Sequence, residues 1–201
     1  MTPVRVAVLA SGGGTNLQAL LDALNGESIT PLARVVRVIT NRPDAGALER
    51  ARQSGVPAAV LRDPGDAAEL LAALTDARAD LVVLAGYLKL VPPPVVARFR
   101  WRMINIHPAL LPAHGGPGMY GRRVHEAVLA SGAAESGATV HYVDEQYDRG
   151  PIIAQARVPV RPGDTAETLA ARVLEAEHRL LPLVVLELAR QGIPNEPVRI
   201  A

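Results

Sequence analysis

The sequence contains no cysteine, which excludes a disulfide, a thiolate nucleophile and a zinc–sulfur site. It contains one lysine, Lys89, among its 21 basic residues, so any Schiff-base chemistry has a single candidate. No apolar run reaches the ~18 residues of a membrane-spanning helix. The apolar stretch in the opening "MTPVRVAVLASGGGTN" is too short for a signal peptide, so a cytoplasmic protein without a membrane partner is expected. No block of like charge stands out, and the formal net charge is +1, which argues against nucleic acid as the main partner. Several signatures are also missing. The P-loop GxxxxGK[ST], the serine elbow GxSxG and the metal spacings HxxxH and HExxH do not occur, so no metal site is expected. The dinucleotide GxGxxG fails in the loop after the first strand, where Gly12 and Gly14 are followed by Leu17 in place of the third glycine. What remains is a chain of 201 residues, 49% hydrophobic and 20% charged, the composition of one globular domain with a sizeable core.

Apolar runs of strand length alternate with apolar residues at helical spacing through the first half. "VRVAVLA" (4–10) precedes "SGGGTN" and the helical "LQALLDAL" (17–24). "ARVVRVIT" (33–40) and "AGALERARQSG", "PAAVL" and "DAAELLAALTDA", then "DLVVLAGYLKLV" (80–91) and "PPPVVARF" continue the pattern. The expected fold class is α/β, a doubly wound, mostly parallel open sheet with helices on both faces. After Pro108 the pattern changes. "GATVHYVD" and "GPIIAQARVPV" around the loop "DEQYDRG" read as a C-terminal antiparallel hairpin added to that sheet. The last helix is expected to open at the capping pair Asp164 and Glu167, to kink at Pro182 and to end at Gly192. The whole, 1–201, is expected to be one domain.

Two places carry chemistry. "SGGGTN" lies between a strand and a helix, where free amide N–H groups and the helix dipole favour an anion. No acidic residue closes the second strand, which ends at Asn41, so one phosphate monoester fits better than a dinucleotide. The second is "NIHPALLPAHGG" (105–116). Asn105 and His107 end a strand and, being two residues apart, project to one face about 6–7 Å apart along the chain. Both places open onto the carboxyl edge of the sheet, where open α/β sheets bind ligands. A carboxylate to hold the imidazole could come from Asp144, Glu145 or Asp148, and spacing does not choose among them.

With these segments on view, the sequence resembles the folate-dependent formyltransferases over nearly its full length, and within them the glycinamide ribonucleotide enzymes of purine synthesis. The resemblance rests on "SGGGTNLQAL", "DLVVLAGYLKLVPPPVV", "NIHPALLPAHGG", "GATVHYVDEQYDRGPIIAQARVPV" and "RVLEAEH". It implies a catalytic trio of Asn105, His107 and Asp148. It also implies a phosphate-binding turn at Gly14, Thr15 and Asn16, a ribose contact at Glu177, and a folate pocket at Leu88, Lys89, Leu90 and Val91 together with Asn105. The implied reaction moves a formyl group from 10-formyltetrahydrofolate, a co-substrate, to the glycine amine of the ribonucleotide. Asn105 and a protonated His107 would steady the tetrahedral oxyanion, and Asp148 would raise the His107 pKa above its reference of about 6.5. The resemblance divides the domain into a nucleotide-binding half over 1–100 and a folate-binding, catalytic half over 101–201, and the implied partners are small molecules, for a monomer or homodimer.

Three positions depart from the family. Ala109 replaces the usual serine of "HPSLLP". The segment after Leu61 is short and leaves Arg62 as the nearest basic residue for a folate tail. Pro117 stands where relatives often carry lysine. A formyl-folate hydrolase and an initiator-tRNA formyltransferase are the competing readings within the fold. The first usually carries an extra N-terminal regulatory domain and the second a basic C-terminal one, and neither is expected here. A non-catalytic nucleotide-binding module would have no need of Asn105, His107 and Asp148 together.

Overall fold

Val6 and Val8 of the first strand point to one side of a sheet and Ala7 and Leu9 to the other, and all four are fully buried. Leu81 and Val83 against Val82 and Leu84 repeat the division in the strand beside it. Two-sided burial is why these segments read as unbroken apolar runs rather than as alternating ones. The computed structural model describes residues 2–26 and 31–200; residues 1, 27–30 and 201 of the expected domain lie outside the described residues.

Among the described residues thirteen elements follow in order. They are β1 Val4–Leu9, α1 Thr15–Leu24, β2 Ala33–Thr40, α2 Gly46–Gln53, β3 Ala58–Val60, α3 Ala67–Asp76, β4 Leu81–Leu84, α4 Pro93–Arg98 and β5 Met103–His107. After these come α5 Arg122–Ala130, β6 Glu135–Tyr142, β7 Ile152–Pro159 and α6 Ala166–Gln191. The seven strands form one sheet in the order β3-β2-β1-β4-β5-β6-β7. β1 to β5 pair in parallel, whereas β6 is antiparallel to both β5 and β7. The parallel part with an added antiparallel hairpin is the expected fold class. No helix among the described residues is long and apolar enough to cross a membrane.

One face of the sheet is covered by α1, α2 and α6, through Leu17, Leu20, Ala47, Leu181 and Leu188 among others. The other is covered by α3 and α4, through Leu70, Leu74, Val95 and Val96. Each fully buried leucine or valine contributes about 1.5–3 kcal/mol, so α1 is held by its apolar face. Its N-terminus has no side-chain cap, which leaves first-turn amide groups free.

The sheet order reverses direction between β1 and β4, and the segments that follow the strands there are tied by one hydroxyl. Ser11 Oγ donates to Asn41 Oδ1 at 2.6 Å and accepts the Leu88 N–H at 3.0 Å. The loops after β1, β2 and β4 are thereby fixed together at the carboxyl edge.

The segment after Asp80 is a buried strand running into a loop, as expected; the strand ends at Leu84, and Gly86 with φ 76° turns the chain out of the sheet. One local expectation is corrected. α6 is capped by Thr165, which exchanges hydrogen bonds with Thr168, and not by Asp164 with Glu167. Asp164 is occupied by the Arg161 N–H and by an ion pair with Arg172. α6 then runs as one helix through Pro182.

Candidate active site

Met103, Asn105 and His107 share one side of β5, while Ile104 and Ile106 pack into the core on the other. Met103 is buried against α3 and α4. Beyond it the strand outruns the helices, so Asn105 is half-buried at the carboxyl edge and His107 is covered by loops. The expected convergence of these two side chains is present, and of the three candidate carboxylates Asp148 is the one that reaches them. His107 Nδ1 lies 3.5 Å from Asp148 Oδ2, and Asn105 Nδ2 lies 3.4 Å from Asp148 Oδ1. Asp144 instead accepts the Gln146 N–H.

The loop bearing Asp148 can approach this closely because of Gly150. A Cβ there would stand 1.8 Å from the Tyr142 carbonyl oxygen, so no other residue fits where the loop crosses β6. Asp148 itself has φ 57°, a conformation that aspartate tolerates better than most residues. Its Oδ2 also accepts the Gly116 N–H at 2.8 Å, and the neighbouring His114 carbonyl accepts from His107 Nε2 at 2.9 Å. Both ring nitrogens of His107 therefore face acceptors.

Burial, the largest influence, pushes the His107 pKa below its ordinary value, while the Asp148 charge and the His114 carbonyl pull the other way. The expected net rise above 6.5 is thus corrected: Asp148 does favour the imidazolium, but the cost of burying charge outweighs it. For Asp148, burial pushes the carboxyl up; a hydrogen bond from His141 when that ring is charged, the charge of His107 and the Gly116 N–H pull the other way and hold the group below its usual range.

At the other end of the site, Asn16 and Glu177 meet across 161 residues of sequence, with Asn16 Nδ2 donating to Glu177 Oε2 at 3.0 Å. Both are buried, and burial pushes the Glu177 carboxyl up to about 7 against the opposing hydrogen bond from Asn16. Among the described residues Asn16 Oδ1 has no hydrogen-bond partner. Gly14 precedes α1 with φ 73°, and a Cβ there would lie 2.9 Å from Ala47 Cα, so a larger residue would disturb the packing of α2 as well as the turn. Arg50 donates to the Gly13 carbonyl at 2.7 Å and brings a positive charge to the same loop.

These two ends line one cleft of about 670 Å³, together with Leu88, Lys89, Leu90 and Val91. Leu88 and Leu90 are 44% and 43% exposed, unusual for leucine, and form an apolar wall with Val143 and Tyr147. Of the turn expected to hold a phosphate, only Asn16 lines this cleft. Thr15 faces a separate groove with Arg50 and His178, and Gly14 lines neither. Arg62 is not among the lining residues; its exposed side chain pairs with Glu69 at 3.3 Å. Pro117 is part of the wall.

Sequence reasoning missed His141, whose Nε2 is 3.0 Å from Asn105 Nδ2. It also missed His125, buried beside the cleft, whose Nδ1 has no partner among the described residues. The only signal for His141 was its place in a strand expected to be antiparallel, and the register that sets it opposite Asn105 cannot be read from that.

The formyl transferase family matches residues 4–185 of this chain. A chloroplastic phosphoribosylglycinamide formyltransferase of Arabidopsis thaliana is 45% identical over 196 residues, which cover 94% of this chain and 66% of the relative. A phosphoribosylglycinamide formyltransferase of Escherichia coli (strain K12) is 39% identical over 189 residues, covering 90% and 85%. The crystal structure of glycinamide ribonucleotide transformylase 1 from Symbiobacterium toebii is similar at a TM-score of 0.87 and 44% identity, over 98% of this chain and 94% of that one. The chain therefore spans just under two thirds of the plant relative and most of the two bacterial ones. The matched residues contain every strand, the glycine turn and the whole cluster around Asp148, and the chain belongs to the formyl transferase family.

Proposed function

We propose that the chain transfers a formyl group from 10-formyltetrahydrofolate to the glycine amine of N1-(5-phosphoribosyl)glycinamide, a cytoplasmic step of purine synthesis carried out by residues 1–201 as one domain. The observation that carries this reading is the single cleft in which an Asn105–His107–Asp148 cluster faces an Asn16–Glu177 pair. In this reading the first hundred residues supply the phosphate turn and the second half the catalytic cluster. Glu177 and the Leu88–Lys89–Leu90–Val91 wall each reach across that division. All these residues come from one chain, so a monomer and a homodimer would both carry the site.

The chemistry follows from the groups present. The nucleophile is the substrate's own amine, which is consistent with the lack of an activated serine or cysteine. Attack on the formyl carbon forms a C–N bond and a tetrahedral oxyanion, toward which Asn105 and His107 are the available donors. The bond to the folate nitrogen then breaks, that nitrogen takes a proton from His107 directly or through water, and the amine loses one to solvent. The His107 Nε2–H must leave the His114 carbonyl to act, so the 114–116 loop and the acid are coupled. The apolar wall of Leu88, Leu90 and Val91 suits a flat pterin ring, and the uncapped start of α1 suits a phosphate.

The test is absorbance of folate deformylation with and without the ribonucleotide. Turnover dependent on the ribonucleotide supports the transferase; equal turnover without it would make the protein a hydrolase.

Glu177 offers a second test. As a ribose contact it must accept from two hydroxyls, which the ionised carboxylate does best. Its pKa is pushed up to about 7 by burial, so ribonucleotide affinity is expected to weaken as pH falls through 7 and to level off above it. Calorimetric affinities from pH 6 to 8 should show this slope in the wild type. Glu177→Gln should remove Glu177's share of it, leaving the titration of the substrate's own phosphate and amine. An unchanged slope in the variant removes Glu177 from the ribose site.

A further inference from the structure

The ring of His141 is held at both nitrogens. Nδ1 lies 2.8 Å from the Tyr142 carbonyl oxygen, and a carbonyl only accepts, so Nδ1 carries a hydrogen. In the neutral ring this leaves a lone pair on Nε2. The nearest side-chain partner of that lone pair is Asn105 Nδ2 at 3.0 Å; Asp148 Oδ1 is farther, at 3.5 Å. The contact is set by the backbone, because Asn105 and His141 stand opposite one another across β5 and β6 and so share a face of the sheet. His141 is buried, and its ring has little room to choose another partner.

An asparagine amide can turn through half a circle and exchange its oxygen for its NH2 with almost no change of shape. Which end points where is decided by its partners. We propose that His141 is a positioning residue for Asn105, its Nε2 lone pair holding one amide N–H so that the second is presented to the reacting formyl oxygen. That second N–H meets only Asp148 Oδ1, at a long 3.4 Å, and is the one a developing oxyanion takes over. The inference rests on the formyl transfer proposed above.

The charged or titratable side chains around this ring are Asp148 and, through it, His107. Were His141 charged, Nε2–H would donate to Asp148 and the Asn105 amide would turn its oxygen to the ring. The proposal thus requires the neutral ring with hydrogen on Nδ1.

The experiment combines a double-mutant cycle with a spectroscopic measurement. His141→Phe keeps a ring but no acceptor, and is expected to lower kcat by roughly 10–100-fold, a part of the full effect of an oxyanion donor. KM for both substrates should stay within about twofold. His141→Gln, which keeps an acceptor oxygen, should recover much of the loss. In an Asn105→Ala background His141→Phe should cost nothing further, because both changes remove the same interaction. Nitrogen-15 NMR of the wild-type protein should find His141 protonated at Nδ1 and bare at Nε2, and this holds even if the phenylalanine variant does not fold. An equal loss in the Asn105→Ala background, or hydrogen on Nε2, overturns the proposal. Absence of formyl transfer by the wild type would overturn the reading of function, while the NMR result would still decide the Asn105–His141 contact.

Discussion

Asp148→Asn is expected to lower kcat/KM by roughly 10²–10⁴ at neutral pH, the usual worth of general acid catalysis. The His107 ring is buried and its pKa already lies below the ordinary histidine value. The Asp148 charge is the main influence pulling it back up, so removing that charge lowers it further. Less imidazolium then remains at any pH above the new pKa, and the departing folate nitrogen lacks its proton. The loss should be greatest at high pH and shrink as pH falls, until protonation of the substrate amine ends the recovery. The replacement also brings an NH2 group to the Asn105 amide or to the Gly116 N–H, since Asp148 now accepts from both. Thermal unfolding of the variant separates that local clash from the electrostatic effect. The deciding measurement is kcat/KM against pH for both proteins with NMR titration of His107; an unshifted titration and an unchanged profile would falsify the pairing.

Asn105→Ala is expected to cost roughly 10²–10³ in kcat, the range for one oxyanion donor. The substitution removes a group at the mouth of the cleft and leaves the apolar wall of Leu88, Leu90 and Val91 in place, so folate binding should weaken far less than turnover. It also strips partners from His141 Nε2 and Asp148 Oδ1, which adds to the loss. Steady-state kinetics with both substrates varied decides the matter: a variant with near wild-type kcat would remove Asn105 from the oxyanion role.

The parallel sheet was legible because two-sided burial writes itself into the sequence as continuous apolar runs, and "ARVVRVIT" forms β2 with the bounds its composition suggests. Asn105 and His107 were legible for a related reason, since polar side chains at a period of two break an apolar run where the strand leaves the core. Asp148 could not be chosen over Asp144 and Glu145 from local pattern, because the choice depends on the crossing of Gly150 over β6, a contact between distant segments. The cap of α6 was misread for a local reason. Asp164 fits the cap pattern, but Arg172 two turns away claims it. The direction of the His107 pKa was misread because the charge partner is visible in a sequence and the depth of burial is not.

Asn16 follows the first strand and Glu177 lies in the last helix, and their hydrogen bond closes a loop of 161 residues. A ribosome releases these two residues far apart in time. Until α6 has emerged and docked, the side of α1 that packs against it stays uncovered, and the Asn16–Glu177 end of the cleft does not exist. That end is therefore among the last parts of the molecule to form, since its contacts span nearly the greatest sequence separation available. A ligand that bridges α1 and α6 binds only the completed protein, and so it draws newly made chains toward the docked state by mass action. If that ligand is the ribonucleotide, as proposed, its supply and the yield of folded protein are linked through Asn16 and Glu177.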